Sequence, residues 1–183
     1  MNDSWQSLKN LIATPDLPEL GPTPRSGRLP MRDLAQKIDR FLAQTQLPPA
    51  IHSSIRAAAL LWHDYLDDSH ALSQNISGAD GSFLHGIMHR REPDYANAKY
   101  WFRRVGRHSS FADIAKQVAR RLQSAGEPEL AAKLTPRGVW DPFAFVDACQ
   151  AAVEGPLPDE QIQTLRAIQE IEFDCLLAHL SAR

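Results

Sequence analysis

Three features of the chain predict an all-α fold. Apolar residues recur at i, i+3, i+4 and i+7 along most of its length. No apolar–polar alternation runs long enough to build a sheet. Gly, Pro and Asp punctuate the chain at the spacing of helix ends. The expectation is a single-domain bundle of about seven to eight helices, residues 31–183, preceded by an N-terminal arm at 1–30.

In order along the chain, Trp5, Leu8, Leu11 and Ile12 predict a short amphipathic helix over 4–13. The stretch TPDLPELGPTPRSGRLP, residues 14–30, is too rich in proline to be helical and must be extended, either across the domain surface or as a flexible arm. Leu34, Ile38, Phe41 and Leu42 mark the next helix, stopped by Pro48-Pro49. A long helix is expected from about Ala50 to Asn75. After a loop at 78–81, a short helix runs over 82–91 and stops before Pro93. Asp94 caps the following one, which ends at Gly106. Phe111, Ile114, Ala115, Val118 and Leu122 form another stripe closed by Gly126. Pro128 and Pro142 suit first helical turns, Pro142 directly after a capping Asp141. Ile162, Leu165, Ile168, Phe173, Leu176 and Leu177 line the last helix, expected over 159–179.

Composition narrows the partners. A formal net charge of −2 gives no general attraction to nucleic acid or membrane, and neither partner is expected. The charge is nevertheless uneven. GSFLHGIMHRREPDYANAKYWFRRVGRH, residues 81–108, carries Arg90, Arg91, Lys99, Arg103, Arg104 and Arg107 against Glu92 and Asp94, so it stands at +4 and the remainder at −6. Two cysteines without ligand spacing, no leader pattern in MNDSWQSLKNLIA and no run of about 18 apolar residues predict a reduced cytoplasmic protein.

Chemistry-bearing residues fall into two stretches. On a continuous helix over 50–75, Arg56, His63, Asp67, His70 and Gln74 would share one side, while Asp64, Asp68 and Asn75 would face solvent. His63, Asp67 and His70 are thus candidates for a metal site or for acid–base work, because imidazole titrates near neutrality. The structural alternative is that both histidines serve to satisfy Asp67. In the second stretch, His85, His89 and Glu92 form a His-x3-His-x2-Glu face able to ligate a metal. Gly86 stands where the HExxH metalloprotease motif has its glutamate, which excludes that assignment. Arg90, Arg91, Lys99, Arg103 and Arg104 lie among Tyr95, Tyr100, Trp101 and Phe102, a mixture suited to a small anionic ligand. The alternative is that the arginines pair with Asp64, Asp67 and Asp68 in a buried network.

Two enzyme patterns fail. His63-Asp64 is an HD dipeptide, but its only upstream histidine, His52, is too close for the HD phosphohydrolases. No GxSxG occurs and neither cysteine sits in a reactive setting, so no Ser–His–Asp or Cys–His triad has local support. If the chain is an enzyme, metal-assisted hydrolysis is the first expectation. The rival is a non-catalytic interaction protein, with Trp5, Leu8, Leu11 and the proline arm clasping a second copy as a homodimer.

LLWHDYLDDSHALSQ (60–74), GADGSFLHGIMHRREPDYANAKYWFRRVGRH (78–108) and WDPFAFVDACQ (140–150) together resemble a family of uncharacterised all-helical proteins of bacteria and fungi, over about a third of the chain. The resemblance ties the three segments together and implies that they meet in space. It supplies no activity, cofactor, substrate or functional residue.

Overall fold

The apolar stripes wind into helices, and the boundary residues end them. The computed structural model describes residues 3–182, with ten α-helices and no strand among the described residues. In chain order these are α1 (Asp3–Ile12), α2 (Met31–Gln44), α3 (His52–Trp62), α4 (Leu66–Ser73), α5 (Gly78–Arg91), α6 (Tyr95–Val105), α7 (Phe111–Ala125), α8 (Pro128–Leu134), α9 (Pro142–Glu154) and α10 (Asp159–Ser181). Asp94 accepts the Asn97 N–H at the start of α6, and Asp141 accepts those of Phe143 and Ala144 at the start of α9. Gly126 ends α7 at φ 70°, a left-handed conformation that glycine adopts without steric cost.

Ten helices exceed the expected seven or eight. One cause is that the continuous helix over 50–75 does not exist. It breaks after Trp62, where Asp64 takes φ 63°. The Asp64 N–H donates to Leu61 O at 3.3 Å and the Tyr65 N–H to Leu60 O at 3.0 Å. That pair of bonds closes a helix in the manner of a Schellman motif, with an aspartate in the position usually held by glycine. Two guanidinium groups hold it there. Arg25 Nε donates to Asp64 Oδ2 at 2.9 Å and Arg91 Nη2 to Asp64 Oδ1 at 2.8 Å. Asp64 is buried, not solvent-facing as a continuous helix would require.

The Pro-rich segment is laid against the helices and bonded along its length. Arg166 and Gln169 of α10 donate to the Pro18 carbonyl, Arg91 to the Gly21 carbonyl and Tyr65 Oη to the Leu29 carbonyl. A chain rich in proline has few N–H groups to offer but keeps every carbonyl, so it is held through its acceptors. Leu8 and Ile12 of α1 are buried in this chain's own core.

The helix α5 runs through the middle, packed on α3, α4, α6 and α9, and every residue from Asp80 to Arg91 is buried. Gly86 permits the closest approach: a Cβ there would lie 2.9 Å from the Phe102 ring of α6. A helix enclosed on all sides is expected to be apolar throughout. This one carries Asp80, His85, His89, Arg90 and Arg91 into the interior, and each must find a partner.

Candidate metal centre

Two of those partners are ion pairs. Arg90 Nη2 donates to Glu172 Oε2 of α10 at 2.6 Å and its guanidinium stacks 4.4 Å from the Phe145 ring centroid, with both charged side chains fully buried. Arg91 is committed to Asp64 and to the Leu61 carbonyl. Burial alone would raise the Asp64 pKa, but the Arg25 and Arg91 donors outweigh it and hold the carboxyl below its usual range. Both arginines face inward, so neither is presented as a donor to an external anion.

The histidines of α5 are treated differently. His85 and His89 stand one turn apart, and His70 of α4 leans over both, with ring centroids 5.2 Å from each. One ring nitrogen from each of the three lies within 4.8 Å of the others. Metal–imidazole bonds of about 2.0–2.1 Å place ligand nitrogens about 3.4 Å apart, so small side-chain rotations close the set.

The hydrogen bonds on the far side of the rings fix which nitrogen is offered. His85 Nδ1 lies 3.2 Å from Gly81 O, a carbonyl that can only accept, so Nδ1 carries the proton. Its Nε2 is then a bare lone pair, buried and without a hydrogen-bond partner among the described residues. His89 Nδ1 lies 3.2 Å from Glu92 Oε2 and 3.4 Å from Asn97 Nδ2. His89 Nε2 lies 3.2 Å from Asn97 Nδ2. Glu92 therefore sits beside His89 Nδ1, near enough to His70 to feel its charge.

Burial keeps the two α5 histidines neutral. Burial, followed by the neighbouring His70 and His89, pushes His85 down to about 4 against the opposing Gly81 carbonyl. Burial and His70 likewise lower His89. Neutral imidazole is the form that ligates. Burial and nearby Asp67 and Asp94 raise Glu92, against a lowering effect from His70.

The remaining sequence candidates divide. His63, expected beside Asp67 and His70 on one continuous helix, is parted from them by the turn at Asp64. Its Nδ1 accepts the Leu29 N–H at 3.1 Å. Asp67 is exposed on α4 and reaches the trio only through its charge near Glu92. Lys99 pairs with Asp147, and with Arg103 it lines an open groove of about 600 Å³ that also holds Asp94 and Glu154, a mixed-charge surface. Arg104 is linked to the trio through Trp101: its guanidinium lies 5.4 Å from that ring, which stacks at 4.0 Å on His85. His52 of the excluded HD reading bonds the Leu47 carbonyl. Cys149 and Cys175 are buried free thiols, each pushed up to about 12 chiefly by burial, which leaves neither as a nucleophile at neutral pH. No helix among the described residues is long and apolar enough to cross a membrane.

Compared with known proteins, the chain matches no family model, no curated protein and no solved structure.

Proposed function

We propose that the chain binds a divalent transition-metal ion through His70, His85 and His89 and presents it, beside Arg104, to a small anionic ligand. The observation that carries this reading is the His85 ring. Its Nδ1–H is held by Gly81 O, while its buried Nε2 aims at two other imidazoles with nothing else to accept from. A buried polar atom left without a partner loses about 1–3 kcal/mol, and a metal ion removes that penalty. Three nitrogen ligands suit Zn, Ni, Co or Cu(II) better than Mg or Ca, which prefer oxygen. Three protein ligands leave a coordination position for water or for a ligand oxygen. A bound metal would supply Lewis acidity and a more acidic water, so hydrolysis is the reaction class that the site suits. The ligand's negative charge would meet Arg104 and its planar groups Trp101 and Tyr100. The two free thiols support a reducing, cytoplasmic setting.

The rival reading, a buried polar network without ligand, rests on Arg90–Glu172 and Arg91–Asp64, whose side chains are fully enclosed. It accounts for those arginines and leaves the histidine trio without a role.

Metal analysis and thermal melts separate the two. Zn or Ni should raise the melting point of the chelator-treated protein, by the equivalent of about 2.7 kcal/mol when free metal is 100 times its Kd. The gain should disappear in His70→Ala, a half-buried position whose truncation leaves the core intact. Purified protein without metal, together with no melting shift on adding any of the four ions, would remove the metal from the reading.

A further inference from the structure

A second constellation lies at the other end of α5, outside the histidine trio. Asp80 of α5 receives two imidazoles from distant parts of the chain: His108 Nε2 at 2.9 Å and His179 Nε2 at 3.2 Å, both on Oδ1. Each ring turns its other nitrogen to a serine. His108 Nδ1 lies 2.7 Å from Ser110 Oγ, and His179 Nδ1 lies 2.8 Å from Ser109 Oγ.

Proton positions follow from a backbone contact. The Ser110 N–H donates to His108 Nδ1 at 3.2 Å, so that nitrogen is bare and the ring's proton is on Nε2, directed at the carboxylate. His108 Nε2 thus has no lone pair for a metal. Asp80 as a carboxylate can only accept, so its contact with His179 Nε2 at 3.2 Å favours the tautomer with the proton on Nε2, which leaves His179 Nδ1 to accept the Ser109 hydroxyl proton. Hydroxyl, imidazole and carboxylate stand in the order and within the reach that an activated serine needs.

Placement distinguishes the two serines. Both border a cleft of about 350 Å³, but Ser110 is buried against His108 whereas Ser109 is exposed. The cleft has Trp5, Ala178 and Ala182 for apolar contact, and Asp113 and Asp174, which disfavour an anionic substrate. Ser110 occupies the N-cap of α7 but makes no side-chain capping bond; with the Phe111 N–H given to His108 O, the donors left to face a developing oxyanion are the Ala112 and Asp113 N–H groups.

We propose that Ser109, His179 and Asp80 form a nucleophile, base and orienting carboxylate that hydrolyse small uncharged carboxylic esters. Ser109 Oγ bonds to the ester carbonyl carbon as its proton passes to His179 Nδ1. The tetrahedral intermediate collapses, the carbon–oxygen bond to the alcohol breaks, and the alcohol leaves with the proton from His179. Water then attacks the acyl-serine, giving a proton to the same nitrogen. The carboxylic acid departs and Ser109 Oγ takes that proton back.

The test uses a fluorophosphonate probe on the full chain, in EDTA, with intact mass and peptide mapping. One adduct on Ser109 is expected, none in Ser109→Ala, and at least about 100-fold slower labelling in His179→Gln. Hydrolysis of p-nitrophenyl butyrate should fall in parallel, in variants whose circular dichroism and melting point match the parent's. Absence of an adduct, an adduct on Ser110, or equal ester hydrolysis in Ser109→Ala would each overturn the assignment. Because EDTA is present throughout, the result is independent of whether the histidine trio binds metal.

Discussion

Arg91 Nη2 and Asp64 Oδ1 lie 2.8 Å apart with both side chains fully buried, and this bond locks α5 to the turn that separates α3 from α4. The same carboxylate takes the backbone N–H and Nε of Arg25 at 2.9 Å each, drawing in the Pro-rich segment. One aspartate thereby fixes a helix end, a neighbouring helix and an extended strap. It also sets the start of α4, and so the position of His70 above His85 and His89.

Removing that carboxylate strands two buried guanidinium groups. Asp64→Ala should destabilise the protein by about 3–5 kcal/mol in urea unfolding. Asp64→Gly separates backbone from charge, since glycine accepts φ 63° more readily than aspartate. If charge dominates, Asp64→Gly loses nearly as much as Asp64→Ala. Parental stability in Asp64→Gly would mean that the ion pairs contribute little.

Gly86 sets the α5–α6 spacing. A Cβ at that position would stand 2.9 Å from two ring atoms of Phe102. Alanine gains up to about 1 kcal/mol of helix propensity, but overpacking a rigid core loses about 1–3 kcal/mol. Gly86→Ala should therefore be net destabilising, and Gly86→Ala with Phe102→Leu should recover part of the loss. An unchanged or higher urea midpoint for Gly86→Ala alone would show that Phe102 moves aside freely. The contact also explains why HGIMH cannot be an HExxH variant: its second position, Gly86, has no room for a glutamate.

The ends of α3 and α7 show what the sequence made legible. Both close with the same pair of bonds, Asp64 N–H to Leu61 O with Tyr65 N–H to Leu60 O, and Gly126 N–H to Gln123 O with Glu127 N–H to Leu122 O. Gly126 announces its left-handed conformation and was readable. Asp64 does not, because an aspartate adopts it only when tertiary partners hold it, here Arg25 from 39 positions upstream and Arg91 from 27 downstream. Missing that turn placed His63 with Asp67 and His70. The spacing of His85 and His89 is local, and the two stand one turn apart on α5, whereas Glu92, expected on the same face, lies just past its last residue. The Ser109–His179 contact spans 70 positions with no local motif, so nothing in the sequence around either residue signals it.

His63 gives the protein an acid-sensitive element away from the histidine trio. Burial, then the charge of Arg25, pushes its pKa from 6.5 down to about 4, against the smaller raising effects of the Ile12 carbonyl and Asp64. The folded chain thus favours the neutral ring. Above pH 6.5 the contribution to stability is complete. As pH falls from 6.5 towards about 4 the unfolded chain takes up a proton that the folded chain refuses. Stability should drop by up to about 1.4 kcal/mol per pH unit across that window. His63→Asn, whose side-chain oxygen can accept the Leu29 N–H, should unfold with a pH slope shallower by about one proton. An identical slope in the variant would place the acid sensitivity elsewhere.

Trp101 provides an optical report on the proposed metal. Its indole stacks on the His85 imidazole at a centroid distance of 4.0 Å and an interplanar angle of 15°, so an open-shell ion on His85 lies within contact range of the ring. Ni or Cu(II) should quench the Trp101 share of the emission of a chain that has four tryptophans. Zn, which is d¹⁰, should bind without comparable quenching while still raising the melting point. In Trp101→Phe the Ni quenching should vanish and the Zn stabilisation persist, because the indole reports on the site without ligating the ion. Equal Ni quenching in Trp101→Phe would locate the ion near another tryptophan and away from His70, His85 and His89.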